Sequence, residues 1–299
     1  MVVGCRGPVL SSPVTIFDRD TTLTALGPGR YAVTFSRDWW VVAGPNGGMV
    51  AAVMLTAAEA EVAEERRFPR TITVHYLAPP REGPAEVVVT AEKTGRAVSF
   101  VSVRLTQGDR ACAVALVALA SDRPDLLDVQ HQPPPHVPPP EACPRLVTEG
   151  SDATIRHRWE TRWAIGPLPR SEGGSDQFME SGGWLRLSEP RPLDGPALVA
   201  MADAWVPPLL AVHEHPGFSV PTVELTVHLR DRAALTALGP TDWCLTRFRC
   251  RTAREGFVEE DGMIWSPEGR LLAQSRQLAI LQPLPPDAPR PSLRLEPPA

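Results

Sequence analysis

The sequence predicts an α+β protein made of two copies of one module, each an antiparallel sheet wrapped around a central helix. The strand-like residues 71–77 reappear as residues 223–229, which sets His75 opposite His228. A Gly- and Ala-rich helical segment precedes each copy, and long segments of alternating pattern follow it. The helical segments have no polar face over most of their length, which is typical of a helix enclosed by its own sheet.

The first module is expected to span residues 14–121, after a loose lead-in. Residues 14–40 alternate and predict strands, with a turn at residues 27–29. The helix opens at Gly47-Gly48 and ends in the polar residues before Pro69. Strands are predicted over 71–77, 85–94, 97–106 and 110–120, the last two joined by the turn Gln107-Gly108-Asp109.

Residues 122–150 are predicted to be a Pro-rich linker between the modules. Residues 132–140 contain two runs of three prolines, which fit neither a central strand nor a helix interior. We therefore interpret this segment as an extended spacer that marks the domain boundary.

The second module is expected to span residues 151–283 and to repeat the order of the first. Strands are predicted over 155–163 and 183–187, followed by a helix over 195–206 with Asp194 as its cap. Pro207-Pro208 should end or kink that helix. Strands at 222–229, 243–253, 257–265 and 270–281 follow, and the Pro-rich residues 284–299 are predicted to be a disordered tail.

Composition narrows the class of protein. The 299 residues carry a net charge of −5 without a basic stripe, which argues against nucleic acid as a partner. The five cysteines are scattered, with no metal-ligand spacing, so we expect no metal and no cofactor, and a reducing, cytoplasmic compartment. The first residues do not resemble a signal peptide, and the longest apolar run, 111–120, is too short to span a bilayer.

Asp203 is the first candidate site residue. It is the sole charged residue between Gly195 and Ala211, inside an otherwise apolar helical segment. Burying a carboxylate without partners is unfavourable, so such a residue indicates either a site or a cap for backbone left open by the proline pair.

Gln277 and Thr222 are the other two candidates. Alternation along the last strand places Gln277 on a small, largely apolar face, where its amide needs a partner, either in a site or as a core amide holding backbone. Thr222 precedes the repeated strand, and alternation places it with Glu224 and His228, on a face that indicates solvent or a seam between modules.

Comparison of the two copies strengthens the case for a site. Matching His75 to His228 sets Pro69 opposite Thr222, and matching Arg110 to Arg270 sets Val117 opposite Gln277; similarly, Leu55 falls opposite Asp203. The three polar positions are therefore apolar or inert in the first copy. A carboxylate, an amide and a hydroxyl together suit a water held for attack, with the aspartate as general base.

The first copy offers a different feature. Asn46, Gly47 and Gly48 lead into its helix, where glycines would let a ligand approach the free N–H groups at the positive helix end. These residues are predicted to bind substrate and to stabilise an oxyanion, although a Gly-Gly helix start is also common for structural reasons.

Known catalytic motifs are missing from the sequence. It contains no Walker motif, no G-x-S-x-G elbow and no dinucleotide fingerprint. Hotdog hydratases need a histidine shortly after the aspartate, but Pro208 stands there and His213 comes later.

The sequence resembles the double-hotdog acyl-CoA thioesterases, including bacterial acyl-CoA thioesterase II, over residues 14–283. The resemblance is carried, in order, by Pro45-Asn46-Gly47-Gly48, Thr73-Val74-His75-Tyr76-Leu77, Ala202-Asp203-Ala204, Pro221-Thr222-Val223-Glu224-Leu225 and residues 269–277. It implies two tandem hotdog modules and a water oriented by Asp203, Thr222 and Gln277. The long spacer and Pro207-Pro208 depart from the family pattern and leave the shape of the acyl tunnel open.

The sequence thus predicts hydrolysis of acyl thioesters held by coenzyme A or by an acyl carrier protein. One alternative is a hotdog protein that binds acyl thioesters without cleaving them. Another is a tailoring enzyme of lipid or polyketide metabolism, such as a dehydratase or cyclase. By analogy with other hotdog proteins, a homo-oligomer is expected.

Overall fold

A computed structural model of the chain describes residues 14–41, 44–64, 66–147, 153–167, 179–212, 217–284 and 293–298. Its helices are α1 Ile16–Thr21, α2 Gly47–Val62, α3 Gly195–Met201, α4 Pro208–Val212 and α5 Arg232–Thr236. The strands of the first half are β1 Thr24–Gly27, β2 Arg30–Phe35, β3 Arg67–Tyr76, β4 Gly83–Thr94, β5 Val98–Gln107 and β6 Arg110–Ser121. Those of the second half are β7 Arg145–Leu146, β8 Trp159–Ile165, β9 Glu180–Leu187, β10 Phe218–Ser219, β11 Thr222–Leu229, β12 Cys244–Arg249, β13 Ala253–Arg254, β14 Phe257–Trp265, β15 Leu271–Ile280, β16 Gln282–Pro283 and β17 Leu295–Glu296.

Both modules contribute to one long antiparallel sheet. The first half supplies β1-β2-β4-β5-β6-β3, and the order continues as β11-β15-β14-β12-β9-β8-β7-β17. The sheet wraps around α2 and α3, which contact each other at its centre. Ten of the sixteen residues of α2 are buried, because small and apolar residues surround its axis. This arrangement confirms the predicted α+β fold of two hotdog modules.

The strands β3 and β11 join the modules about a local two-fold axis. Thr73 lies opposite Thr226, and their hydroxyl oxygens are 2.9 Å apart. His75 lies opposite Glu224, while its match in the repeat, His228, lies opposite Thr71. Exchanging the modules therefore reproduces the same pairing, which agrees with the alignment of His75 to His228.

Several predicted elements differ from the structure; among them, the strand predicted over 155–163 begins only at Trp159, after a 3-10 helix at Thr154–His157. Residues 16–21 form a helix, α1, because Thr15 and Asp18 make a reciprocal capping box that alternation does not reveal. The helix over 195–206 ends at Met201, and Asp203 lies in the turn that follows. The prediction of a disordered tail is wrong for residues 293–298, since Leu295–Glu296 pairs with β7; residues 285–292 lie outside the described part.

The Pro-rich segment forms no helix or strand over residues 122–139, and it is attached to the second module. The indole N–H of Trp265 donates to the carbonyl of Gln132 at 3.1 Å, and that of Trp184 donates to the carbonyl of Pro138 at 2.9 Å. The side chain of Gln130 bonds the backbone of Gly269 and Leu271. The linker therefore packs against the part of the sheet that the second module contributes.

Candidate active site

Asp203 lies at the amino end of α2, the central helix of the other module. Its Oδ2 accepts hydrogen bonds from the Gly48 N–H at 2.7 Å and from the Asn46 amide at 2.9 Å. The same Asn46 amide donates to the Asp203 carbonyl at 2.8 Å. The second carboxylate oxygen, Oδ1, accepts no hydrogen bond from the residues that the structure describes. One oxygen thus anchors the side chain, and the other is available to a reactant.

Burial and the hydrogen bonds at the helix end shift the pKa of Asp203 in opposite directions. Burial raises the pKa of Asp203 to about 6, although the bonds from Gly48 and Asn46 favour the charged form and lower it. The residue keeps some solvent access. At neutral pH its carboxylate is therefore mostly ionised, yet more basic than that of an ordinary aspartate.

Gly47 and Gly48 are required here by close approach. A Cβ on Gly48 would lie 2.7 Å from the carbonyl oxygen of Ala200 and 2.8 Å from the Cβ of Asp203. A Cβ on Gly47 would lie 3.0 Å from Asp203 Oδ2 and 3.2 Å from the Tyr76 hydroxyl. The Tyr76 hydroxyl donates to the Gly47 carbonyl at 2.7 Å. The two glycines therefore let the helix end, the carboxylate and the tyrosine meet.

A second cluster joins Thr222, Gln277 and Glu260. The Thr222 hydroxyl donates to Gln277 Oε1 at 3.0 Å, and Gln277 Nε2 donates to Glu260 Oε1 at 2.9 Å. Gln277 and Glu260 are buried, with 7% and 8% of their surfaces exposed. The burial of Gln277 agrees with the prediction from alternation along β15.

A β-bulge brings Thr222 to this cluster. Thr222 pairs with Ala279, but Glu224 pairs with Leu278, so two residues of β11 face one step of β15. Paired residues point to the same side of a sheet, which puts Thr222 on the side of Ala279 and Gln277. The expectation that Thr222 shares a face with Glu224 is therefore wrong.

Electrostatics connects the two clusters. Burial, together with the negative charge of Asp203, raises the pKa of Glu260 to about 8. Among the described residues, no hydrogen bond joins Asp203 directly to Thr222 or Gln277. The Asp203 carboxyl group therefore lies close enough to the Thr222–Gln277–Glu260 cluster for its charge to act on Glu260.

Sequence reasoning missed two residues, Glu260 and Tyr76. Alternation along β14 would have found Glu260, since Val258, Glu260, Gly262 and Ile264 form its buried face. Tyr76 ends β3, where the repeat sets it opposite Leu229. The contrast between polar Tyr76 in one copy and apolar Leu229 in the other could have identified Tyr76 as a candidate site residue.

The equivalent position of the first module lacks these groups. Val117 of β6 pairs with Val101 of β5, in the same way that Gln277 pairs with Glu260. Pro69 precedes a β-bulge that matches the bulge after Thr222. The caps Asn46 and Asp194 each bond the third helical N–H, so Gly48 corresponds to Pro196, which has no N–H. Within the part of the chain that the structure describes, this combination of groups therefore occurs in one module and not in the other.

The described residues contain no group of three or more His, Cys, Asp or Glu side chains that could hold a metal ion. Within those same ranges, no helix has the length and apolar character needed to cross a membrane.

Fold and site together define a double-hotdog protein with a polar site at the amino end of α2 and on the neighbouring strands β11, β14 and β15. The chain belongs to the acyl-CoA thioesterase family, whose N-terminal domain matches residues 36–121 and whose C-terminal domain matches residues 128–281.

Solved structures agree with this assignment. A hot dog fold protein of unknown function from Alicyclobacillus acidocaldarius superposes with a TM-score of 0.80 at 26% identity, covering 92% of this chain and 99% of that one. A putative thioesterase II from Thermobifida fusca gives a TM-score of 0.74 at 27% identity, covering 90% and 98%. Among protein sequences, the thioesterase-like protein TwmA of Talaromyces wortmannii is 24% identical to this chain, and the match covers 89% of this chain and 92% of TwmA.

Proposed function

We propose that this protein hydrolyses acyl thioesters of coenzyme A, or of an acyl carrier protein, with a water molecule that Asp203 deprotonates. The observation that carries the proposal is the basic carboxylate of Asp203, whose Oδ1 is unbonded among the described residues, beside the Thr222–Gln277–Glu260 cluster. Family membership supports acyl-CoA as the substrate class.

The attack requires a positioned water. Gln277 uses one N–H on Glu260, which leaves its second N–H to hold the water or the substrate oxygen. The Thr222 hydroxyl donates to Gln277, so its lone pairs can accept from the same water. As the water oxygen bonds to the thioester carbon, its proton passes to Asp203 Oδ1.

The second step expels the thiol. The tetrahedral intermediate collapses, the carbon–sulfur bond breaks, and the proton held by Asp203 passes to the departing thiolate. An aspartic acid whose pKa is about 6 gives up that proton more readily than water does. Free acid and free thiol are the products, and Asp203 returns to its ionised form.

The helix end has a divided role in this scheme. Asn46 and the Gly48 N–H hold Asp203, so Gly48 is already engaged in the resting molecule. The Gly47 N–H donates no hydrogen bond to the described residues and lies at the positive end of α2. We therefore propose that the Gly47 N–H donates a hydrogen bond to the thioester oxyanion, whereas Asn46 and Gly48 act indirectly, by holding Asp203 in place.

The test is thiol release from a panel of acyl-CoAs of increasing chain length. Asp203→Asn keeps an oxygen for the Gly48 N–H but removes the base, and it should lower kcat by at least about 100-fold. Asp242→Asn, in an exposed turn before β12, is the matched control and should retain full activity.

Two outcomes would contradict the proposal. Persistent turnover in Asp203→Asn would exclude the aspartate as base. Tight binding of acyl-CoAs without thiol release by the wild type at any chain length would instead favour a non-hydrolytic acyl-thioester-binding protein.

A further inference from the structure

Glu260 is a buried carboxyl group that the hydrolysis described above does not use. It lies on the inner face of β14, opposite Gln277 of β15, and accepts from Gln277 Nε2 at 2.9 Å. The described residues provide no salt-bridge partner for it. A carboxyl group buried without a cation is unfavourable for stability, so its retention calls for a reason other than packing.

The amide of Gln277 needs a neighbour that distinguishes its two ends. Its oxygen and nitrogen have nearly the same shape, and the Thr222 hydroxyl can either donate or accept, so Thr222 alone fixes no orientation. The Glu260 oxygen Oε1 accepts at this contact when the group is ionised, and also when its proton is on Oε2, the oxygen that faces Cys250 Sγ at 4.0 Å. It therefore selects the orientation in which Gln277 presents Nε2 to β14 and Oε1 to Thr222.

The first module provides an independent observation. Val101 and Val117 occupy the same paired positions on β5 and β6, and both are buried. The position equivalent to Thr222 is Pro69, before the matching bulge. Glutamate, glutamine and threonine thus occur together in the module that carries Asp203, and three apolar residues replace them in the other.

We propose that Glu260 is a positioning residue, which fixes the Gln277 amide with its oxygen toward Thr222 and its remaining N–H toward the reacting centre. The proposal rests on the proposed thioester hydrolysis. Without Glu260 the amide can rotate by half a turn, which would turn its oxygen toward the reacting centre and remove the donor that faces the water.

Kinetics of three variants test the positioning. Glu260→Val, which copies the first module, should lower kcat roughly 10- to 100-fold with little change in KM, as removal of a residue that orients an active-site group does. Glu260→Gln can present either its amide oxygen or its amide nitrogen to Gln277, so its kcat should lie between those of wild type and Glu260→Val. Glu259→Gln, on the opposite face of the same strand, is the matched control and should leave kcat unchanged.

The pH profile gives a readout that a purely structural role would not move. The titratable groups around Glu260 are Asp203 from the turn after α3, Cys250 beyond β12, and its neighbours Glu259 and Asp261. Ionisation of Glu260 near pH 8 adds a negative charge to the site, which opposes the negative charge that develops on the thioester oxygen, and should slow turnover on the alkaline side. That inflection should be missing in Glu260→Gln.

Nuclear magnetic resonance separates failure of this proposal from failure of the proposed hydrolysis. The side-chain amide signals of Gln277, assigned by their loss in Gln277→Ala, should shift and exchange faster with solvent in Glu260→Val than in wild type. If the amide signals change in this way but the wild type releases no thiol, the proposed hydrolysis is rejected while the positioning role of Glu260 is retained. Unchanged amide signals, or equal kcat in Glu260→Val and wild type, would overturn the positioning role, as would an alkaline inflection that survives in Glu260→Gln.

Discussion

At the scale of single residues, the site depends on two acids that burial makes weaker. Burial raises the pKa of Asp203 to about 6 and, with the charge of Asp203, that of Glu260 to about 8. Two carboxyl groups with separated pKa values allow one to be ionised while the other stays protonated. Between those values, Asp203 can act as a base while Glu260 carries no charge.

The activity should therefore fall on the acid side with the titration of Asp203. Below about pH 6 the carboxylate is protonated and cannot take a proton from water, so kcat/KM should decrease about 10-fold per pH unit. Initial rates of thiol release between pH 4.5 and 7.5, in buffers of constant ionic strength, measure this limb. A profile flat down to about pH 4.5 would exclude Asp203 as the titrating base.

Asp203→Asn should also stabilise the protein at neutral pH. Because the pKa of Asp203 is raised in the folded state, its favourable contribution is complete below its ordinary value of 3.8 and is lost as pH rises through about 6. The variant should exceed the wild type in free energy of unfolding by about 1–3 kcal/mol at pH 7.5. Denaturant melts at pH 4 and 7.5 should show this gain shrinking at the lower pH.

At the scale of the secondary-structure elements, the amino end of α2 packs closely against the end of α3 and the following turn in the second module. Gly48 brings its N–H to Asp203 and its backbone against Ala200, contacts that any Cβ would block. The Tyr76 hydroxyl fixes the preceding carbonyl from β3. Burial, reinforced by the charges of Asp203 and Glu224, holds the pKa of Tyr76 well above its usual value, so it stays a donor.

Gly48→Ala should displace Asp203 without unfolding the protein. The new methyl group would lie 2.7 Å from the Ala200 carbonyl, so helix and turn must separate by a few tenths of an ångström or more. We expect kcat to fall by about 100-fold, as small misplacements of catalytic groups do. Gly217→Ala is the control, since a Cβ there meets nothing within 4 Å, and it should keep wild-type kcat. Equal rates in the two variants would contradict this geometry.

At the scale of the whole molecule, duplication has produced two related positions with different chemistry. The position related to the site by the local two-fold axis lies at the start of α3, beside a groove of about 440 Å³ that Glu59, Asp194 and Gly195 help to line. Burial and the charge of Asp194 raise the pKa of Glu59 to about 7. Pro196 offers no N–H at this helix end, so the groove cannot repeat the contact between Gly48 and Asp203.

Each chain should therefore bind one equivalent of substrate. Isothermal titration with a thioether analogue of acyl-CoA, which resists hydrolysis, should give a stoichiometry of one per chain. Gly48→Ala should weaken this binding, whereas Glu59→Gln in the opposite groove should leave the affinity unchanged. Two equivalents per chain, or loss of binding in Glu59→Gln, would show that the second position also takes substrate.

Periodicity and the internal repeat account for much of what the sequence revealed. The repeat identified two modules and aligned His75 with His228, and the pairing of β3 with β11 is symmetric about that alignment. Alternation along β15 predicted that Gln277 lies on a small, largely apolar face of the strand, and Gln277 is buried in the structure. Alternation along β11 failed for Thr222 because a bulge shifts the pattern by one residue, and nothing in the local sequence marks that bulge.

The sequence by itself determined the α+β modules, their duplication and the polar residues present in one copy, because these follow from short-range patterns and their repetition. The tertiary structure alone decided that Asn46 and Gly48 hold Asp203, and that Glu260 holds Gln277. The first contact joins residues more than 150 positions apart, across two modules whose relative placement depends on a sheet seam. Local pattern cannot encode this contact, since it depends on how the two central helices pack against one continuous sheet.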